Sequence, residues 1–176
     1  MELDILVEDP RWDDAALEVL ARNAFSAVFA RLDLPPGDAE ISLLGCGDAR
    51  ISALNAEFRG KPAPTNVLSW PAEDLSAATP GAEPRAPRPD PDGAITLGDI
   101  AISFDTCEAE AAAQGKSFDD HVTHLLVHGL LHLLGYDHLR DPDATLMEHL
   151  ETEILGRLGI DDPYRELDGA GRPRFG

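Results

Sequence analysis

The chain has 176 residues, a mass of 18.9 kDa, 43% apolar residues and a mean hydropathy of -0.19. That suits one domain with a sizeable core, and no apolar run approaches the roughly 20 residues a membrane span needs. The formal net charge of -19 repels phosphate backbones at long range and argues against general nucleic-acid binding, while leaving room for a local basic site.

The opening MELDILVEDP lacks the basic, then apolar, pattern of a secretion signal, and Cys46 and Cys107 are too few for a disulfide framework. A cytoplasmic protein is expected. Leu3–Val7 reads as a strand. Asp13 caps a helix over Ala15–Leu32, with Leu17, Leu20, Ala24, Val28 and Phe29 on one face and Pro35-Pro36-Gly37 beyond its end. Glu40–Leu44 reads as a second strand, and Asp48 as the N-cap of a helix over Ala49–Phe58. Asn66–Trp70 and Ile95–Ser103 are two further strands.

Between them, residues 71–92 carry six prolines and no apolar period, which predicts a mobile surface insertion, with a binding lid as the competing reading. Asp105–Gln114 forms a helix closed by Gly115. Ser117, with Asp120 three residues on, opens the helix that runs to Leu134. Asp143–Leu158 is the last helix, and the tail over 165–176 is expected to be partly disordered. Four strands among five helices predict a single α+β domain over residues 1–164 with a small mixed sheet.

All six histidines lie between 121 and 149. On a helix His128 and His132 share one face about 6 Å apart along the axis. Gly135 allows the chain to reverse, so His138 is positioned to close a third ligand place on one zinc ion. Three neutral ligands leave a fourth place for water, which is the catalytic pattern. His124 is a rival, but it lies two turns, about 12 Å, from His132, so one ion cannot use both. It is assigned a supporting role, and Asp137 either orients an imidazole or caps the turn. A single buried histidine would mean nothing of the kind.

The spacing H-x-x-x-H-x-x-G-x-x-H is that of metzincin proteases, which carry a general-base glutamate after the first histidine. Here that position is Gly129, so a zinc peptidase is the second reading rather than the first.

HGLLHLLGYDH (128–138) resembles the signature of the YbeY family of bacterial metal-dependent endoribonucleases. LNAEFRGKPAPTNVLSWP (54–71), LGDIAIS (97–103) and MEHLETEILGRLGIDDPY (147–164) are similar in register. The resemblance implies a zincin-like fold, one zinc on the three histidines and cleavage of single-stranded RNA. It also implies work on the 3′ end of small-subunit ribosomal RNA, ribosome quality control, and contact with the small subunit and its proteins. The family's functional arginine falls on Arg59. Asn66 and Trp70 stand where the family usually has Asp and Phe, and the family's loop is usually shorter than 71–92. Zinc chemistry suits phosphodiester hydrolysis, and a guanidinium pairs bidentately with phosphate. Lys61 and Ser69 join His124 and Asp137 as candidates for supporting the ligands or meeting substrate. A third reading is a non-catalytic assembly factor in which zinc only holds the fold.

Overall fold

The computed structural model describes residues 1–164. In chain order it contains β1 (Glu2–Val7), α1 (Asp14–Leu32), β2 (Ala39–Cys46), α2 (Asp48–Arg59), β3 (Val67–Pro71), β4 (Ile95–Ser103), α3 (Phe104–Gln114), α4 (Phe118–Leu133) and α5 (Asp141–Arg157). The sheet runs β1-β2-β4-β3, with β1, β2 and β4 parallel and β3 antiparallel at the edge. The expected α+β domain with a four-stranded mixed sheet and five helices is therefore observed. Among the described residues no helix is long and apolar enough to cross a membrane.

Strand alternation divides the core. Ile41, Leu43, Val67, Ile100 and Ile102 face α1 and α4 in the main core, while Leu68 and Ala101 turn to the opposite face and meet Ile51 and Leu54 of α2. The main core is the deeper layer because α4 lies at its centre. Residues 121–131 of α4 are buried without interruption, as expected of a helix enclosed by α1, α3, α5 and the sheet. Ser117 caps it by accepting the Asp120 N–H at 3.1 Å.

Several boundaries differ from expectation for identifiable reasons. Asp13 does cap α1, accepting from the Ala16 N–H at 3.0 Å. The buried face of α1 includes Ala21 and Phe25, and Leu20 is only half-buried. Asp48 is not an N-cap. Gly47 occupies that position, and Asp48 accepts from Ser103 Oγ at 2.7 Å and Thr106 Oγ1 at 2.6 Å. Its own N–H donates to Asp105 Oδ2 at 2.8 Å, so α2 is capped by a carboxylate from α3. The last helix begins at Asp141, with Pro142 in the first turn where a missing N–H leaves nothing unsatisfied. The expected tail over 165–176 lies outside the described residues.

The proline-rich segment over 71–92 also differs from a featureless insertion. Leu75 is only 3% exposed, and its carbonyl accepts from the Arg85 N–H at 2.8 Å. The segment is tied to the start of α5 twice. Gly81 N–H donates to Asp143 Oδ1 at 2.8 Å, and Arg140 Nη2 donates to the Ala77 carbonyl at 2.9 Å. Leu75 backbone also lies under Gly135, where an added Cβ would come within 2.7 Å of it. One buried leucine in a polar tract gives no periodic signal, so composition alone concealed the packing.

Leu75→Ala should therefore lower unfolding free energy by about 2 kcal/mol or more. Pro89→Ala, on the exposed part of the segment, should stay within about 0.5 kcal/mol. Denaturant midpoints at unchanged slope would measure both, and equal small effects would mean that Leu75 contributes no packing.

Candidate metal centre

The centre begins with a helix end. The last turn of α4 closes with Leu134, and the Tyr136 N–H donates back to the Leu131 carbonyl at 3.0 Å. Gly135 takes φ +102, a conformation L side chains rarely adopt, and a side chain there would also strike Leu75 and Pro84. Asp137 Oδ1 then accepts the N–H groups of His138 at 2.6 Å and Leu139 at 3.1 Å. Of its two expected roles, Asp137 performs turn capping, and the turn carries His138 back toward α4.

The structure brings His128, His132 and His138 together, one ligand nitrogen from each lying within 4.8 Å of the others. Ring centroids are 4.6 Å apart for His128–His132, 5.0 Å for His132–His138 and 5.5 Å for His128–His138. After small rotamer adjustments these three nitrogens would be able to hold one metal ion. The three form a gradient from buried His128 through half-buried His132 to exposed His138, so the centre opens outward at one end. A cleft of about 310 Å³ runs past it, lined by Phe58, Arg59, Ser69, Trp70 and Asp137 as well as the three imidazoles.

Protonation favours metal binding. Burial pushes His132 well below the ordinary 6.5, and the neighbouring His128 and His138 push it the same way. Burial also lowers His128, against the pull of Glu151. Both imidazoles are thus neutral near pH 7, the form a metal requires.

Glu151 of α5 is the functional residue that sequence reasoning missed. It is fully buried and hydrogen-bonds His128 Nδ1 through Oε1, while Oε2 accepts from the Tyr164 hydroxyl. Burial opposes ionisation of Glu151, but interaction with His128 and His124 outweighs it and holds the carboxyl below its usual range. As an acceptor, Glu151 fixes the Nδ1–H tautomer of His128 and turns Nε2 toward the centre. A signal was available: Glu151 stands in line with Met147, Leu150, Ile154 and Leu155 on the buried stripe of α5, where a carboxylate needs a partner.

The remaining candidates separate. His124 lies deeper, with Nε2 3.5 Å from Glu151 Oε2 and its ring against Tyr164, so it supports Glu151 and stays away from the cleft. Lys61 is exposed just beyond α2 and does not line the cleft, whereas Arg59 and Ser69 do. Asn66 is explained by Glu110. Its amide donates to Glu110 Oε1 at 3.0 Å, where an aspartate would place two carboxylates in contact, and the same oxygen meets His121 Nε2 at 2.9 Å. Gly129 packs at a close helix–sheet approach. A Cβ there would sit 3.2 Å from Ile100 and 3.3 Å from Ser69 Oγ, so a protease-like glutamate would have to displace the sheet side chains.

His132→Ala should abolish stoichiometric zinc binding, while His124→Ala retains it. Glu151→Gln should weaken zinc affinity by roughly 10- to 100-fold without removing a ligand. Competition with a chromophoric chelator measures all three, and an unaltered affinity in Glu151→Gln would show that the carboxylate does not tune His128.

Acid should also act on the metal-free fold in a defined direction. His128 and His132 have folded-state values below the ordinary 6.5, so below that pH the unfolded chain binds protons that the folded chain does not. Their contribution is intact above pH 6.5 and is lost as pH falls from there through the depressed folded values. Denaturant midpoints of chelator-treated protein between pH 8 and 5 should fall on the acid side, and less so in His132→Ala.

Comparison with known proteins was consistent across the chain. A family model described as Endoribonuclease YbeY matches residues 4–159. Relatives named Endoribonuclease YbeY include one from Ruegeria pomeroyi, 70% identical over 164 residues, covering 93% of this chain and 98% of the relative. One from Paracoccus denitrificans is 59% identical, covering 93% and 90%, and one from Bradyrhizobium sp. is 44% identical, covering 94% and 93%. A Thermotoga maritima protein solved in solution shares the fold with a TM-score of 0.54 at 22% identity, over 97% of this chain and 99% of that one. With the histidine centre and its cleft in place, these matches show that the chain belongs to the YbeY endoribonuclease family.

Proposed function

We propose that this protein is a cytoplasmic, zinc-dependent endoribonuclease that cuts single-stranded RNA. In this reading it acts in 3′-end maturation of small-subunit ribosomal RNA and in ribosome quality control. The observation that carries the reading is the shared cleft: three imidazoles grouped closely enough for one metal ion, and Arg59 on the same walls. His128, His132 and His138 would hold one zinc ion per chain. Such an ion, when bound, polarises a phosphoryl oxygen and supplies hydroxide near neutral pH.

The chain's own residues do the rest. Arg59 ends α2, where Gly60 in a left-handed conformation terminates the helix and Arg59 lines the cleft. A guanidinium donates two parallel hydrogen bonds to a phosphate, and its charge opposes the negative charge that grows on the phosphorus oxygens. Glu151 and Tyr164 hold His128 in one tautomer from behind. Asp137 spends its carboxylate oxygen on backbone N–H groups, which keeps the turn rigid. The peptidase reading is disfavoured by Gly129, which supplies no general-base carboxylate and packs closely on Ile100 and Ser69. A purely structural metal is disfavoured by His138, which is exposed at the cleft.

Arg59→Ala should retain zinc and fold but cut unstructured RNA about 100-fold more slowly, as for loss of one oxyanion donor. Arg59→Lys should recover little, because a point charge cannot make the paired contact. The wild type should show no chelator-sensitive peptidase activity. Peptide cleavage insensitive to Arg59→Ala, with no RNA cleavage under any metal condition, would overturn the nuclease reading. Zinc-loaded protein inert toward both substrates would favour the assembly-factor reading.

A further inference from the structure

Beside the histidines, the metal cleft carries an aromatic pair for which the chemistry above has no use. Phe58 and Trp70 lie with ring centroids 5.5 Å apart at 68°, edge to face. Both line the metal cleft, and both also line a neighbouring cavity of about 620 Å³ on the far side of the same ridge. Phe58 is 57% exposed although it sits in the last turn of α2, one residue before Arg59. Exposed apolar surface is concentrated here. Among the described residues the large exposed apolar side chains are Leu6, Val19, Phe58 and Leu139, of which Phe58 and Leu139 line the metal cleft and Leu6 lines the adjoining cavity.

We propose that Phe58, backed by Trp70, is a nucleobase-stacking subsite that takes an unpaired base next to the phosphate held at Arg59. The proposal rests on the ribonuclease reading and deepens it. A nucleotide strand alternates phosphate and base, and Arg59 and Phe58 offer a cation and a ring at adjacent positions. The ridge suits a base and not a phosphate. The cavity beyond it is lined by Asp4, Glu8 and Asp99, with Arg50 paired to Glu8 at 3.1 Å, so its excess negative charge repels a backbone that strays there. The metal cleft presents Arg59 beside the three imidazoles, and Asp137 Oδ1 is engaged by backbone N–H groups. The backbone is thus drawn to the cleft while its base lies over the ridge. A base within a duplex is stacked on both faces, so only an unpaired base has a face to give. Single-strand preference follows from the site itself.

The test uses zinc-loaded protein and an unstructured oligoribonucleotide, together with a set of the same oligonucleotide carrying one abasic residue at successive positions. Phe58→Ala should raise KM about 10-fold and lower kcat less, in line with base stacking on an aromatic ring. Phe58→Tyr, which keeps the ring, should restore KM. Phe58→Leu, which keeps an apolar contact on Trp70, should not. One abasic position should raise the wild-type KM to the level of Phe58→Ala and have no added effect in that variant. Rescue by leucine equal to that by tyrosine, or KM within twofold of wild type in Phe58→Ala, would overturn the subsite while RNA cleavage by wild type left the nuclease reading standing. A wild type that cleaves no RNA would overturn both.

Discussion

Helix α4 is enclosed on every side and still carries four imidazoles, and the surrounding elements are arranged to satisfy them. A polar ring without a partner in such a place costs on the order of 1–3 kcal/mol, and two of the helices packed on α4 supply partners. Glu110 of α3 meets His121, and Glu151 of α5 meets both His124 and His128. Only at His132 does burial relax, and there the helix has reached the cleft. The polar side chains along α4 thus pass from structural to chemical roles within three turns. Glu151 serves both, closing the buried network and setting the tautomer of the innermost metal-facing ring.

This explains why the outer elements matter to the centre. α5 does not touch the cleft, yet it carries the carboxylate behind His128 and, through Asp143, anchors the proline-rich segment. That segment lies under Gly135, the residue whose left-handed turn returns the chain toward His138. A change in either would reach the ligands through backbone position and not through contact with substrate.

Much of this was legible in the sequence. The strands and helices followed from apolar periods and from caps such as Asp13 and Ser117, and the cluster of His128, His132 and His138 followed from helical spacing and one glycine. What was missed depends on distant partners. Asp48 has the composition of an N-cap, but Ser103 and Thr106 compete for its carboxylate, and Asp105 caps α2 instead. Leu75 is one apolar residue in a tract without periodicity, and its burial depends on Gly135 and the start of α5. Glu151 was readable as a charge on an apolar stripe, but the identity of its partner required the fold.

Gly129 shows how a small residue can decide between chemistries that share a ligand spacing. The metal spacing constrains only the imidazoles, and it is compatible with either peptide or phosphodiester hydrolysis. The residue after the first histidine faces β4 and Ser69 of β3, so its size is limited by how closely α4 approaches the sheet. In this chain the approach is tight, and any side chain at the position would press on Ile100 and Ser69. At the cleft Arg59 is offset by Asp137, in a protein with a formal net charge of -19. A substrate drawn in must therefore be held by local pairing against an unfavourable long-range field, which favours specific contacts over indiscriminate binding. Exposed aromatic surface serves that end better than further lysines would, because stacking is short-ranged and does not depend on net charge.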